Sequence, residues 1–234
     1  MRCKIADLIT EVPSAGGMAS RCNGYWWQCE EDPDITIREE EYHADRLPSG
    51  CSYNEIAYME SALQFYYNIL NFDGFYLHAS AVVVDGRAYL FSGNPGAGKS
   101  THTRLWLQEF ENRAVIINDD KPALRRIDGA WYAYGTPWCG KDGINANMKA
   151  PVAGVCFMKK AGYNRIRRLS SLEAMQKIMF QTLYRFRKME MLDRMLAHLE
   201  LFLKEIPVYE MENLPEPAAA RLSYETMSNG YLEE

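Results

Sequence analysis

The chain has 234 residues, of which 47% are hydrophobic and 24% are charged, so it is long and apolar enough to bury a full core. Its formal net charge of −5 argues against nucleic acid as a partner, because binding a phosphate backbone requires concentrated Lys and Arg. No run of about 20 apolar residues occurs and the N-terminus lacks an apolar signal core, so we expect a cytoplasmic protein with no membrane partner.

Residues 1–52 are expected to form a small β-rich module. The stretches "KIADLITEV" and "DITIREEEY" are typical of strands, and "PSAGG", "EEDPD" and "LPSG" are typical of turns. The acidic run at residues 39–41 indicates a solvated strand end, with a metal site as the open alternative.

The six cysteines are scattered without Cys-x-x-Cys pairs, which argues against a zinc ribbon or a disulfide framework. We therefore expect reduced thiols. Four of the cysteines and His43 lie in the first 51 residues and offer a metal site as an alternative, although their spacings match no ligand pattern. The six residues are Cys3, Cys22, Cys29, Cys51, Cys139 and Cys156.

A helix is predicted from Tyr53 to Leu70, with Asn54 as its N-cap. Residues at helical spacing give it one apolar face, which we expect to be buried. These residues are Ile56, Met59, Leu63, Tyr66, Tyr67 and Leu70.

Two strands follow, "FYLHASAVVV" and "RAYLFSG", joined by a hairpin turn at Asp85-Gly86. His78 lies within the first of these strands, where a lone histidine is usually a hydrogen-bonded core residue. The second strand leads into the glycine-rich sequence "GNPGAGKS".

Residues 93–100 satisfy the pattern G-x-x-x-x-G-K-[ST] between a predicted strand and a predicted helix. Glycines let successive backbone N–H groups face phosphate oxygens, Lys99 can reach the β and γ phosphates, and Ser100 can bind Mg²⁺. The motif reads phosphates and not the base, so ATP and GTP both remain open. The predicted nucleotide contacts are Gly93, Asn94, Pro95, Gly96, Ala97, Gly98, Lys99, Ser100 and Thr101.

About 20 residues later, the buried strand "AVIIND" ends in Asp119 and Asp120. Carboxylates at this place can hold Mg²⁺ or accept a proton from an attacking hydroxyl. We assign Asp120 to the metal with Ser100 and favour Asp119 as the base, although the residues do not settle the order. Two adjacent acids also fit a plain turn.

A second hairpin, "KPALRRIDGAWYAYG", turns at Asp128-Gly129 and leads into the irregular loop "YGTPWCGKDGINAN". In this loop Trp138, Lys141 and Asn145 offer stacking, charge and amide contacts to a substrate, and a purely structural loop is the alternative. Cys139 is a weak candidate nucleophile because no separate His base is identifiable.

The last third of the chain predicts a strand at "VAGVCFMKK", two helices at "SLEAMQKIMFQTLYRF" and "EMLDRMLAHLELFLKEI", a strand at "IPVYEME" and a final helix at "EPAAARLSYETM". Ser170 or Ser171 with Glu173 caps the first helix. Basic residues indicate a solvated face or a site for an acidic or phosphorylated partner. These are Lys159, Lys160, Arg165, Arg167, Arg168, Arg185, Arg187 and Lys188.

The sequence "LHASAVVVDGRAYLFSGNPGAGKSTHTRLW…VIINDDKPALRR" resembles the catalytic domain of HPr kinase/phosphorylase and the wider HPr-kinase-like kinases, which are related to ATP-dependent phosphoenolpyruvate carboxykinase. The loop at residues 134–147 looks like a feature of the same branch. The resemblance implies a P-loop α/β domain over residues 53–234, with a mixed sheet and flanking helices. It also implies one catalytic site formed by His78, Lys99, Ser100, Asp119 and Asp120, in which His78 orients or stabilises the transferring group.

The implied activity is Mg²⁺- and ATP-dependent transfer of the γ-phosphoryl group to a hydroxyl, on a small molecule or a peptide serine. The arginine-containing signature of true HPr kinase/phosphorylases is missing, so HPr itself is not the expected acceptor. The alternatives are carboxykinase-like transfer to an enolate and a nucleotide-binding sensor or scaffold without turnover. Because the resembled family often forms multimers, the implied partners are a nucleotide, an acceptor and further copies of the chain.

Overall fold

The structure is a computed structural model that describes residues 1–43, 45, 49–182 and 189–229. Over these residues the chain is mixed α/β, with six helices around a large mixed sheet and a small three-stranded sheet. The predicted fold class is confirmed at this level. No helix within the described ranges is long and apolar enough to cross a membrane.

The small sheet consists of β1 (Arg2–Ile5), β2 (Leu8–Glu11) and β3 (Ile35–Thr36). β1 and β2 form a tight antiparallel hairpin, and its turn residues Ala6 and Asp7 have φ values of 52° and 60°. The prediction of one strand through "KIADLITEV" is therefore wrong. No glycine or asparagine marks this turn in the sequence, which is why the pattern did not show it.

The rest of the N-terminal segment is mostly irregular. A short helix, α1 (Met18–Arg21), precedes a 3-10 turn at Asn23–Tyr25. Residues Glu39–Glu41 form an exposed 3-10 turn and not the predicted strand end. In the described part of the chain no three His, Cys, Asp or Glu side chains converge to hold a metal ion, and all six cysteines are free.

Helix α2 (Tyr53–Asn68) begins with a capping box at Ser52 and Glu55, in which each side chain bonds the other residue's backbone N–H. The prediction of Asn54 as the cap is therefore wrong. The predicted apolar face is also wrong in part, since Met59 is 39% exposed. The helix buries a neighbouring stripe that includes polar side chains: Ala57, Glu60, Ser61, Ala62, Phe65 and Tyr66.

Nine strands of the described chain form the large sheet. They are β4 (Gly74–Tyr76), β5 (Ala79–Val84), β6 (Arg87–Ser92), β7 (Ala114–Asn118), β8 (Ala123–Ile127), β9 (Ala130–Tyr134), β10 (Lys149–Lys160), β11 (Arg165–Arg168) and β12 (Val208–Asn213). The helices that flank this sheet are α3 (Lys99–Phe110), α4 (Ser171–Met179), α5 (Met189–Glu205) and α6 (Pro217–Asn229).

The strand order is β4-β8-β9-β10-β6-β5-β7, with β12 on β10 and β11 on β12. Both predicted hairpin turns are confirmed: φ is 51° and 76° at Asp85 and Gly86, and 49° and 84° at Asp128 and Gly129. Left-handed values at both central residues are what a two-residue hairpin of this type requires.

Strand β10 joins the two halves of the large sheet. Its residues 149–151 pair antiparallel with β9, its residues 152–157 pair parallel with β6, and its residues 155–160 pair parallel with β12. The predicted strand "VAGVCFMKK" covers only the parallel part. The carboxyl ends of β6, β10 and β12 therefore point to the same edge of the sheet.

Different helices cover the two faces of this sheet. Along β6, Ala88 and Leu90 pack into the core shared with α4 and α5, whereas Tyr89 and Phe91 pack into the core shared with α3 and α6. Such alternation is the ordinary period of a strand. Ser170 is the residue that caps α4, in a capping box with Glu173.

The N-terminal residues share a hydrophobic core with later parts of the chain. Ile5 and Tyr25 belong to the same buried cluster as Phe65, Tyr134 and Trp138. The division into a module at 1–52 and a domain at 53–234 stays a prediction.

Most of the basic residues near the end of β10 lie on exposed strand positions. Lys159 and Arg167 form ion pairs with Glu210 at 2.9 and 3.2 Å. The sequence predicted a solvated face or a site for an acidic or phosphorylated partner here, and the stretch contains the edge strand β11. Arg185, Arg187 and Lys188 lie outside the described residues.

Candidate functional site

The glycine-rich loop at residues 93–98 connects β6 to α3. Gly93, Gly96 and Gly98 have φ values of 138°, 79° and 103°, which L side chains rarely adopt. A Cβ on Gly93 would also lie 3.0 Å from the Met158 carbonyl oxygen on the neighbouring strand β10. The loop shape therefore depends on glycine for both conformation and space.

Helix α3 begins at this loop without a side-chain cap, because its N-cap residue is Gly98. The N–H groups of the first turn are consequently open to a ligand, and the helix dipole favours a negative charge there. Lys99 Nζ donates to the Gly93 carbonyl at 2.9 Å. Burial lowers the pKa of Lys99, while Asp120 and Asp119 act in the opposite direction.

Asp119 follows β7 directly and is held against α3. Its Oδ1 accepts a hydrogen bond from Ser80 at 2.9 Å, and the Ser80 hydroxyl also contacts Thr103 of α3 at 2.9 Å. Asp119 is 8% exposed. Its Oδ2 faces Gly140, where a Cβ would lie 3.4 Å away.

Asp120 has a different environment from its neighbour. Its Oδ1 lies 3.1 Å from His78 Nε2, and its Oδ2 forms an ion pair with the Lys121 ammonium. Burial would raise the pKa of Asp120, but the hydrogen bonds and charges of His78 and Lys121 outweigh it and lower the pKa to about 2. Asp120 is therefore an ionised carboxylate held by two donors.

His78 lies between β4 and β5, not inside one continuous strand as predicted. The strand breaks here because β4 pairs with β8 while β5 pairs with β6 and β7. Gln181 holds the residue, since His78 N–H donates to the Gln181 carbonyl at 2.7 Å and Nδ1 lies 3.1 Å from Gln181 Oε1. With Nε2 on Asp120, both ring nitrogens are engaged.

A cavity of about 530 Å³ brings these groups together beside the loop. It contains five of the residues selected from the sequence as a shared site: His78, Lys99, Ser100, Asp119 and Asp120. Lys141 also borders the cavity. A second cavity is bordered by the other loop residues, which are Gly93, Asn94, Pro95, Gly96 and Ala97. Thr101 borders a third cavity.

The loop after β9 contributes less to the cavity than its sequence indicated. Trp138, predicted as a stacking surface, is fully buried, and its Nε1 donates to Ser61 at 2.9 Å. The side chain of Asn145 forms hydrogen bonds within the protein. Its Oδ1 accepts from the Tyr25 hydroxyl at 2.8 Å, and its amide nitrogen contacts Cys139 Sγ at 3.2 Å. Full burial contradicts the assignment of Trp138 to substrate, whereas Asn145 is half-buried and its assignment stays a prediction.

Cys139 is buried, and that burial raises the pKa of its thiol. A thiol with a raised pKa is a poor nucleophile near neutral pH. The structure therefore adds a second argument against nucleophilic chemistry at this position.

Sequence reasoning missed several residues of the cavity wall. Lys121 donates to the Tyr58 hydroxyl at 3.0 Å, and the Arg21 guanidinium lies 4.4 Å from the centre of the Tyr58 ring. The position of Lys121 directly after the aspartate pair was a usable signal. Arg21 and Tyr58 of this wall, and Gln181 beside His78, come from distant segments that carry no local motif.

No family model matches the chain, and no curated protein matches it. Among solved structures, the chain is similar to the HPr(Ser) kinase/phosphatase from Coxiella burnetii, with 13% sequence identity and a TM-score of 0.33. The similarity covers 68% of this chain and 98% of that one.

Proposed function

We propose that the protein is a kinase that transfers the γ-phosphoryl group of Mg²⁺-ATP to a hydroxyl group on a small molecule or a peptide serine. One observation carries this proposal: Lys99, Ser100, Asp119, Asp120 and His78 border a single cavity beside the glycine-rich loop. Phosphoryl transfer depends mainly on positioning and on charge stabilisation, and this set supplies both.

The phosphates of the nucleotide bind at the loop and at the start of α3. Uncapped N–H groups of the first helical turn face the phosphate oxygens, and the loop glycines allow close approach. The Lys99 ammonium, which bonds the Gly93 carbonyl, turns to the β and γ phosphates when these arrive. It then balances the charge that develops during transfer.

Ser100 and Asp119 fit Mg²⁺. Within the described chain, neither the Ser100 hydroxyl nor Asp119 Oδ2 has a hydrogen-bond partner, and both are the hard oxygen donors that Mg²⁺ prefers. When bound, Mg²⁺ neutralises charge on the β and γ phosphates. The link from Asp119 through Ser80 to α3 holds this carboxylate near Ser100.

Asp120 and His78 handle the proton of the acceptor. The hydroxyl oxygen forms a bond to the γ-phosphorus while the bond from that phosphorus to the bridging oxygen breaks, and ADP takes the electron pair. Asp120 accepts the hydroxyl proton, and His78, fixed by Gln181, orients the carboxylate. This division is the reverse of the order favoured from the sequence. Its basis is that Asp119 keeps one oxygen free for the metal, whereas both Asp120 oxygens already face donors.

The experiment that tests the proposal follows the label from γ-labelled ATP into a panel of free amino acids, sugars and cell-extract peptides. The wild-type chain is expected to label an acceptor, and Lys99→Met is expected to lose transfer by about 10²-fold or more. Lys204→Met, an exposed lysine on α5, is the matched control and should retain the wild-type rate. Two results would contradict the proposed kinase activity. One is a wild-type rate of transfer by Lys99→Met, and the other is tight ATP binding by the wild-type chain with no transfer to any acceptor.

Substitutions of the two aspartates are expected to change different kinetic parameters. Asp119→Asn should raise the Mg²⁺ concentration for half-maximal activity roughly 10- to 100-fold, because it removes a metal ligand. Asp120→Asn should lower kcat by about 10²–10⁴-fold at saturating Mg²⁺, because it removes the base. Metal titrations of both variants check this. Equal effects on both parameters would contradict the division of roles.

A further inference from the structure

A separate cavity of about 380 Å³ lies on the other side of the glycine-rich loop from Asp119 and Asp120. It is bordered by the start of α3 and by the residues at and just after the carboxyl ends of β10 and β12. Ligands of open α/β sheets bind outside the carboxyl ends of parallel strands, and β6, β10 and β12 are parallel to each other. This cavity therefore lies where such a ligand is expected.

The geometry of the loop determines the orientation of a bound nucleotide. Lys99 and Ser100 border the cavity that contains the aspartates, so the terminal phosphates lie there. Gly98 and Thr101, which come from the same loop and helical turn, border the other cavity. The nucleoside end of the molecule must leave the loop away from the terminal phosphates, and the volume of about 380 Å³ is within the roughly 300–1,000 Å³ range of small-molecule sites.

The walls of this cavity suit a flat ring. Ala97, Ala161 and Pro215 supply apolar surface, and the aliphatic stem of Lys160 adds to it. Ala161 N–H donates to the Asn213 carbonyl at 3.1 Å, which fixes the two strand ends against each other. The site is therefore bordered by fixed backbone on this side.

Two residues of the wall carry buried polar atoms without a partner in the described chain, His102 Nδ1 and Asn213 Oδ1. His102 Nε2 lies 2.9 Å from Ser223 Oγ and 3.2 Å from Trp106 Nε1, so Nε2 is engaged and Nδ1 is the ring nitrogen without a partner. Burial lowers the pKa of His102 to about 4, which keeps the ring neutral. The wall thus carries two polar groups without a partner, an imidazole nitrogen and an amide oxygen.

We propose that this cavity binds the base and ribose of the nucleotide, with His102 Nδ1 and Asn213 Oδ1 as hydrogen-bond partners for polar groups of the base edge. The inference rests on the proposed function for the phosphates. It adds the part of the site that a phosphate-binding motif does not specify. Buried polar groups without partners are unfavourable, and a base that pairs with them removes that cost.

The test compares calorimetric binding of Mg²⁺-ATP and of Mg²⁺-tripolyphosphate, which has phosphates and no nucleoside. Ala161→Trp fills the cavity and is expected to weaken ATP binding at least about tenfold while tripolyphosphate affinity stays within about twofold. Phe180→Ala is the matched control. Phe180 borders the remaining cavity beside the loop, and its loss should change neither affinity.

Equal wild-type affinities for ATP and tripolyphosphate would overturn the inference and leave the phosphate site intact. ATP binding lost in Phe180→Ala and kept in Ala161→Trp would overturn it too, by placing the nucleoside in the other cavity. Binding of neither ligand by the wild-type chain would instead overturn the proposed function, and this inference with it. If circular dichroism shows that Ala161→Trp is unfolded, Asn213→Leu replaces it, with selective loss of ATP affinity expected.

Discussion

Glu210 is a buried carboxylate of β12 that is surrounded by cations. Lys177 and Lys159 lie 2.7 and 2.9 Å from its Oε2, and Arg167 lies 3.2 Å from its Oε1. Burial would raise the pKa of Glu210, but these cations outweigh the effect and lower it to about 2 from an ordinary 4.5. The ion pairs therefore join β10, β11 and α4 around one negative charge.

The pairing of Glu210 predicts a pH-dependent contribution to stability. Because the folded pKa is depressed, the contribution is complete above about pH 4.5 and is lost as the pH falls towards 2. We expect Glu210→Gln to lower the free energy of unfolding by about 2 kcal/mol at pH 7 and by progressively less below pH 4.5. Urea unfolding at pH 7, 5, 4 and 3 measures this difference.

The control for this series is Glu225→Gln, at an exposed position of α6 that has no ion pair within the described chain. Its difference from wild type should be small and constant over the same pH values. A Glu210→Gln difference that does not shrink below pH 4.5 would contradict the assigned role of the charge.

Single residues of the candidate site were predictable only where their local sequence was informative. The pattern around Lys99 and Ser100 needs no information from the rest of the chain, and Asp119 and Asp120 follow an apolar strand. Trp138 was misassigned because a loop sequence does not show which side chain packs inward. Gln181 was missed because its contact with His78 joins residues that are far apart in the chain.

At the scale of elements, substitutions at the N-terminal cap of α2 test where this helix begins. Ser52 Oγ accepts from Glu55 N, and the Glu55 carboxylate accepts from Ser52 N at 2.8 Å. Ser52→Ala is expected to destabilise the protein by about 1 kcal/mol. Asn54→Ala, two positions later, should have almost no effect. Thermal and urea unfolding of the two variants check the prediction, and a larger effect of Asn54→Ala would show that the helix begins elsewhere.

Whether an element could be predicted from the sequence depended on how far apart in the chain the residues that define it lie. The turns at Asp85-Gly86 and Asp128-Gly129 are set by two residues, so their sequences were sufficient. The break at His78 depends on β4 pairing with β8, which lies on the far side of the glycine-rich loop in the sequence. Local periodicity contains no signal for such a break.

On the scale of the whole molecule, the N-terminal segment packs against the part of the chain that carries the site. Phe65 is fully buried in the cluster that also contains Ile5 and Tyr25, and the Tyr25 hydroxyl donates to Asn145 of the site loop. Arg21 borders the cavity itself. The segment is thus part of the wall and of the core.

We expect a chain that begins at residue 53 to lose cooperative unfolding. Burying one large apolar side chain contributes roughly 1.5–3 kcal/mol to stability, whereas the free energy of unfolding of a whole domain is only about 5–15 kcal/mol. The truncation would expose several such side chains to water. Circular dichroism during heating, together with dye binding to exposed apolar surface, measures the effect. A sharp transition at the wild-type temperature would instead show that residues 53–234 form an independent domain.

Strand β10 also determines when the site can form. Its residues 152–157 pair with β6, and the Met158 carbonyl packs against Gly93, so the loop lacks one wall until β10 arrives. Contacts between such distant residues form late, because a long loop must close first, whereas the β5–β6 hairpin forms quickly. A chain growing on the ribosome is therefore expected to bind no nucleotide until β10 has emerged, and to gain the site in one late folding step.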